Sequence, residues 1–230
     1  MPICDTCGKS VDRVRRDVLD SSYDALQKVP FWNCDDCYGQ KRRQRLARET
    51  AALLEGRQLF VTGFMATGKS KVGTVLADIL GRPFVDTDAR IVRAAGRPIG
   101  EIFEQDGEEA FRTLESQAVV AAATGEAAVI ALGGGAMRQD ENWDVIGSNG
   151  ICLCITASPE LLSERIGRNE DRPLLAGLDD DERLQRIREL LAEREPFYRR
   201  SDAFIESTDD RTPEETAVSA LQVILKALRA

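Results

Sequence analysis

The stretch Leu59-Phe60-Val61-Thr62-Gly63-Phe64-Met65-Ala66-Thr67-Gly68-Lys69-Ser70 decides how this chain folds. Its second half, Gly63 to Ser70, fits the phosphate-cradling pattern G-x-x-x-x-G-K-[ST]. Such a loop must leave a strand and enter a helix. Leu59, Phe60 and Val61 supply the apolar run of a strand, and Val72, Leu76, Ile79 and Leu80 fall at helical spacing behind it. The residue types follow from the chemistry. Gly63 and Gly68 allow the backbone to wrap close to phosphate oxygens, with Ala66, Thr67 and the following amides pointing inward as a nest. The helix behind them turns its positive end to the same point. Lys69 would reach the β- and γ-phosphates, the Ser70 hydroxyl would ligate Mg²⁺, and Lys71 adds a second cation. A nucleoside triphosphate site is expected here.

Outward from this loop, short β-branched runs alternate with helical patterns. Strands are expected at 58–62, 83–86, 127–132, 151–155 and 203–206, and helices at 68–80, 108–123, 158–167, 180–195 and 213–228. That alternation predicts an α/β fold with a parallel sheet covered on both faces. Cys152 and Cys154 alternate within one of the strands and read as small core residues.

Four other cysteines form two pairs, Cys4/Cys7 and Cys34/Cys37. A two-residue spacer lets both thiolates of a pair face one ion, so the two pairs offer four sulfur ligands for a structural Zn²⁺. Two disulfides or a redox-active dithiol are the competing readings. The expected organisation is a zinc-ribbon-like module over 1–40, a basic helical linker over 41–57 and a catalytic domain over 58–230. The linker carries Lys41, Arg42, Arg43, Arg45 and Arg48, read as a solvated helix face with a nucleic-acid or protein contact as the alternative.

Bulk properties narrow the function. The 230 residues carry a formal net charge of −8, with 43% apolar and 30% charged side chains. Residues 1–56 are close to neutral at +1 and the remainder carries −9, so an anionic ligand must be held by particular arginines, not by a general field. No apolar window approaches a membrane span, and the amino terminus has no signal-peptide pattern, so a cytoplasmic protein without a membrane partner is expected. The chain has no histidine, which excludes imidazole chemistry and leaves proton transfer to carboxylates.

Several further segments carry chemistry. Phe84-Val85-Asp86-Thr87-Asp88 ends the second strand, where ligands gather in open parallel sheets. It reads equally as a metal and substrate site or as a helix N-cap. Arg112 and Glu115 stand at i and i+3, by themselves a surface ion pair. The triplet Gly133-Gly134-Gly135 suggests a close approach to backbone, with a plain loop as the alternative. The polar stretch from Arg168 to Gly177, containing Arg172, suits a lid. Arg194 lies just ahead of Pro196-Phe197-Tyr198.

Together, from Leu59 onward, these segments resemble the shikimate kinase family. The resemblance implies a P-loop kinase three-layer fold whose five-stranded parallel sheet has the order 2-3-1-4-5. It implies ATP-dependent phosphorylation of the shikimate 3-hydroxyl, a step toward chorismate and the aromatic amino acids, with ATP and shikimate as substrates. It gives Asp86 a place near Mg²⁺ beside Ser70, and Asp88 the attacking hydroxyl. Arg112 and Arg194 would clamp the acid carboxylate, Gly133, Gly134 and Gly135 would present backbone, and Phe103 and Phe111 would line the pocket. Arg172 would neutralise charge from the lid, while Arg165, Arg211 and Pro213 would flank adenine. A kinase of another hydroxy acid such as gluconate, or a non-catalytic sensor, are the rival readings. Ala66 stands where the family usually has glycine, tolerable if that position avoids positive φ, and Lys71 stands where threonine is common. The cysteine module lies outside the family pattern.

Overall fold

The computed structural model describes residues 1–17, 31–167 and 178–230, which fall into two compact units, Met1–Glu49 and Thr50–Ala230. In the smaller unit, strands β1 (Arg15–Asp17) and β2 (Phe31–Asn33) pair antiparallel with Arg16 opposite Trp32. Helix α1 (Asp35–Leu54) begins directly after Cys34, which places Cys37 on its first turn. The two cysteine pairs are therefore presented differently. The first sits in a tight knuckle. Gly8 takes φ +70° there, its amide donates to the Cys4 carbonyl at 2.9 Å, and the Cys4 amide donates to the Lys9 carbonyl at 3.0 Å. The second pair needs no such turn, because the i, i+3 spacing of a helix start already puts both sulfurs on one side; Gly39 lies inside α1.

The larger unit opens with β3 (Gln58–Thr62), buried along its whole length. After the glycine loop, α2 (Lys69–Leu80) leads to β4 (Phe84–Asp86), α3 (Thr87–Ala95) and the long α4 (Ile99–Ala123). Strand β5 (Val129–Ala131) is followed by a 3-10 turn (Ala136–Arg138), α5 (Asp140–Asn149) and β6 (Gly150–Thr156). Helices α6 (Pro159–Gly167) and α7 (Asp180–Tyr198), strand β7 (Ala203–Glu206) and α8 (Pro213–Leu228) complete it. The sheet order is β4-β5-β3-β6-β7 with every neighbouring pair parallel, the 2-3-1-4-5 arrangement expected from the resemblance. Central strands buried on both faces read as continuous apolar runs, which is why Leu59 to Val61 shows no alternation. Phe60, Ile130, Cys152 and Cys154 face one way and pack with Val119, Ile146, Leu162 and Leu190 from α4, α5, α6 and α7. On the other face α2 and α8 lie side by side against the sheet. Burial pushes the Cys154 thiol up to about 12 and the Cys152 thiol higher still, so both behave as core side chains.

Three helices differ from the expected list of elements, although the sequence offered the start of the first as the N-cap reading of Asp86. Asp86 caps α3: one of its carboxylate oxygens accepts from the Asp88 and Ala89 amides. Helix α4 starts nine residues before the expected position, and Gly107 breaks it at φ 84° and ψ 175°, which separates the Ile99 turn from the periodic segment. Helix α5 offers only Trp143 and Ile146 as an apolar stripe. It is anchored instead by Asn142 and Trp143 side chains, which donate to the Ala136 and Met137 carbonyls at 2.9 Å. Among the described residues no helix is long and apolar enough to cross a membrane.

Candidate active site

The glycine loop connects β3 to α2 and is held from inside. Gly63 takes φ +141°, and a Cβ there would collide with the Ile155 carbonyl oxygen, so only glycine fits. The Thr67 hydroxyl donates to the Phe64 carbonyl at 2.8 Å; this threonine braces the loop with its side chain. The Lys69 ammonium donates to the carbonyls of Gly63 and Phe64, both at 2.9 Å, across the loop mouth. Gly68, at φ +94°, precedes α2 with no side-chain cap, leaving the first helical amides to an anion. Lys71 is exposed on the first turn of α2. The condition set for alanine at position 66 is not met. Ala66 takes φ +62°, so the position does use the left-handed region, and alanine holds it against the steric preference of an L-residue.

Beside the loop, the Ser70 hydroxyl donates to Asp86 Oδ2 at 2.9 Å, while Asp86 Oδ1 serves the α3 cap. The two readings of Asp86 are thus compatible: each oxygen does one job. Arg165, on α6, reaches the outer rim of the loop. Its guanidinium donates to the Ala66 carbonyl at 3.3 Å, to Ser207 Oγ at 3.0 Å and to Asp209 at 2.8 Å. The β7–α8 connection, which holds exposed Arg211 and leads into Pro213, is thereby tied to the loop. Arg172 lies outside the described residues.

The glycine triplet gathers the remaining groups. A Cβ on Gly133 would stand 2.5 Å from Asp88 Oδ1 and 2.8 Å from Glu115 Oε1. On Gly135 it would strike the Arg112 guanidinium. On Gly134 it would lie 3.3 Å from an Arg194 nitrogen and 4.0 Å from the Gly63 carbonyl oxygen. These glycines are needed for space: none of the three has positive φ. Four charged side chains from three helices and the rim of the phosphate loop converge on them. The Gly133 amide donates to Thr87 Oγ1 at 2.9 Å, which fixes the triplet to the start of α3.

Arg112 and Glu115 are not the surface pair that spacing alone suggests. Glu115 is 1% exposed, and its carboxylate accepts from Arg112 Nη1 at 2.7 Å. Burial pushes the Glu115 carboxyl up, and the Arg112 hydrogen bond opposes that. Burial works against the Arg112 charge in turn, but Glu115 and exposed Glu108 outweigh it and raise its value, so it stays a cation. The guanidinium lies 5.3 Å above the Phe111 ring, on which half-exposed Phe103 packs at 4.5 Å. Arg194 is 9% exposed, lies 5.1 Å over the Phe64 ring and donates to the Gly134 carbonyl at 3.4 Å. The Tyr198 hydroxyl donates to the same carbonyl at 3.4 Å, and burial pushes its pKa up to about 12, so it stays neutral. Glu115, Tyr198, Thr87 and Phe64 were assigned no role from the sequence. Glu115 left its i+3 spacing from Arg112 as a signal, and Thr87 and Tyr198 lay within the segments Asp86-Thr87-Asp88 and Pro196-Phe197-Tyr198.

In the smaller unit, the sulfurs of Cys4, Cys7, Cys34 and Cys37 all lie within 4.8 Å of one another, with Cys7 and Cys34 at 3.9 Å, and all four cysteines are free. Hydrogen bonds from the Cys34 and Cys7 amides bring the Cys4 thiol down to about 6, whereas the Cys37 thiol, bonded to Cys34 and desolvated, is pushed up to about 12. This set can hold a metal ion.

A lysine-bearing glycine loop, a serine–aspartate pair beside it and two arginines facing a shared glycine backbone define a P-loop phosphotransferase acting on a small molecule. The chain belongs to the shikimate kinase family, whose model, described as Shikimate kinase, matches residues 65–225. It is 43% identical over 170 residues to the shikimate kinase of Caldanaerobacter subterraneus subsp. tengcongensis, covering 74% of this chain and 97% of that protein. It is 41% identical over 177 residues to that of Synechococcus sp. (strain CC9605), covering 76% and 86%. Among solved structures, shikimate kinase from Acinetobacter baumannii in complex with shikimate superposes with a TM-score of 0.70 at 35% identity, covering 77% of this chain and 97% of that one.

Proposed function

We propose that the larger unit transfers the γ-phosphoryl group of ATP to the 3-hydroxyl of shikimate. Family membership supports the reaction, and the observation that carries the assignment of roles is the crowding of Asp88, Arg112, Arg194 and the Gly63 carbonyl around one glycine triplet. Loop amides from Gly63 to Lys71 bind the triphosphate, and Lys69 moves from its carbonyl contacts to the β- and γ-phosphates. The Ser70 hydroxyl and Asp86 Oδ2, already 2.9 Å apart, fit a hard cation that takes oxygen ligands and would hold Mg²⁺ there. When bound, that cation would offset the negative charge of the triphosphate. Arg112 and Arg194 clamp the carboxylate, because planar guanidinium forks match a planar anion. Asp88 orients the attacking hydroxyl and accepts its proton, the role left to a carboxylate in a chain without histidine. Arg172 is assigned the neutralisation of developing charge, and Arg165, Arg211 and Pro213 flank the base. Catalysis then rests on positioning and charge stabilisation.

The cysteine cluster is assigned as a structural Zn²⁺ site. A tetrahedral ion with Zn–S bonds of about 2.3 Å sets its sulfurs about 3.8 Å apart, and the Cys7–Cys34 separation of 3.9 Å fits that edge. Among the described residues of this unit the buried side chains are Cys4, Asp17, Asn33 and Cys34, so it has little apolar core to fold on. Four sulfur ligands would close the site, giving it a role in folding and none in catalysis.

The decisive assay measures ADP release with Mg²⁺ and ATP across a panel of hydroxylated acids that includes shikimate and gluconate. Turnover with shikimate at least a hundredfold above every other acid is expected. Preference for gluconate, or no turnover with any acid, overturns the reading.

A further inference from the structure

We infer that Phe64 couples the two substrate sites, its carbonyl gripping the phosphate-binding lysine and its ring supporting the acid-binding arginine; the inference rests on the roles proposed above for Lys69 and Arg194. Phe64 follows Gly63 in the loop and is 1% exposed. Its carbonyl accepts from three donors: Lys69 Nζ at 2.9 Å, Thr67 Oγ1 at 2.8 Å and the Thr67 amide at 3.4 Å. Its ring lies beneath the Arg194 guanidinium at 5.1 Å. Arg194 in turn donates to the Gly134 carbonyl, and a Cβ on Gly134 would lie 4.0 Å from the Gly63 oxygen that also accepts from Lys69. The phosphate grip and the acid clamp therefore meet at a single residue.

Each ligand disturbs the other's support. Triphosphate oxygens compete with the Phe64 carbonyl for Lys69 and strip one of its three donors. A carboxylate drawn to Arg194 competes with the ring face for the guanidinium. Both events bear on one buried residue in a tight loop, so occupancy of either site changes the free energy of filling the other, equally in both directions. The cation–aromatic contact is largely desolvated, so its loss corresponds to about a two- to thirtyfold change in affinity.

The test is calorimetric titration of shikimate into the full, metal-loaded chain, with and without saturating Mg²⁺–ADP. In the unsubstituted chain, nucleotide is expected to change shikimate affinity by fivefold or more. In Phe64→Leu and Phe64→Met, which keep apolar bulk but remove the ring face, the ratio is expected to fall below twofold. A purely structural role would lower the melting temperature and both affinities while leaving that ratio intact, and an unchanged ratio in either folded variant overturns the inference, as does a ratio of one in the unsubstituted chain. Should neither variant fold, Arg194→Lys, which leaves the loop intact and moves the cation off the ring, is expected to lose the coupling; retention of the ratio there overturns it equally. Arg194→Ala separates the premises. Unchanged shikimate affinity in that variant would refute the clamp itself, whereas lost affinity beside fully coupled Phe64 variants leaves the clamp standing and removes only the role of Phe64.

Discussion

Replacing Ala66 by glycine should stabilise the larger unit, the reverse of what this substitution does at most positions. Ala66 holds φ +62° in the middle of the phosphate loop. The left-handed region costs a non-glycine residue about 1–2 kcal/mol, because Cβ crowds the next carbonyl. Glycine removes that cost but widens the unfolded ensemble, which takes back about 0.4–1 kcal/mol. The net gain is about 1 kcal/mol, or about 2–4 °C in melting temperature for a unit of this size. The contact that Ala66 makes with Arg165 uses a backbone carbonyl and survives the change. Thermal unfolding followed by circular dichroism on metal-loaded protein measures the shift, with ADP affinity expected to stay within about threefold. The mirror substitution supplies the control. Gly63→Ala combines φ +141° with a collision against the Ile155 carbonyl, so it should destabilise by several kcal/mol and abolish nucleotide binding. An unchanged or lower melting temperature for Ala66→Gly would refute the reasoning, because it would mean that the loop does not hold this residue in the left-handed region.

Lys69→Met should lower turnover by orders of magnitude while the melting temperature stays within a few degrees; steady-state kinetics near the original rate would remove Lys69 from phosphoryl transfer. Arg112→Ala should raise KM for shikimate by about tenfold or more and leave KM for ATP little changed, since Arg112 faces the glycine triplet and the nucleotide contacts are assigned to the loop; an unaltered shikimate KM excludes it from the clamp. Elemental analysis of protein purified under reducing conditions should give about one zinc per chain. Strong chelation should unfold the Met1–Glu49 unit, read by new proteolytic cleavage there, with the larger unit still resistant. Protection that survives complete metal removal would dismiss the structural role of the ion.

The elements legible in the sequence are those whose identity is written in contiguous residues. Gln58–Thr62 and Ala203–Glu206 fall at their expected bounds, and Pro213–Leu228 does too, because a Thr212 cap, a first-turn proline and a regular apolar stripe all agree. The phosphate loop was legible for the same reason: its geometry depends on spacing along one short segment. What spacing could not convey was the sign of a torsion. Nothing in the letters around Ala66 distinguishes a left-handed alanine from an ordinary one; the glycine usual there in the family raised the question, and the wrapped backbone answers it. Helix α3 was legible only through the N-cap reading of Asp86, being nine residues long, and α5 escaped because Asn142 and Trp143 side chains anchor it.

The site divides along the same line. Arg112 and Glu115 are three residues apart, and spacing gives their contact; it does not give their burial, which turns a pair worth a few tenths of a kcal/mol in solvent into a fixed element of the pocket wall. The glycine triplet shows why. Three consecutive residues without side chains leave room for Asp88, Glu115, Arg112 and Arg194, which approach from α3, α4 and α7. Carboxylates and guanidiniums brought that close in a partly buried pocket would each lose some hydration, and they are tolerable together because opposite charges interleave around a neutral backbone. A substrate that carries both a carboxylate and hydroxyls satisfies the same arrangement, with its anion on the arginines and a hydroxyl on Asp88. A side chain at Gly133 or Gly135 would displace Asp88, Glu115 or Arg112 before the substrate arrived, and one at Gly134 would press on Arg194 at 3.3 Å. The preference for glycine here is therefore set by the charged groups that share the pocket with the ligand and not by torsion, since none of the three residues has positive φ.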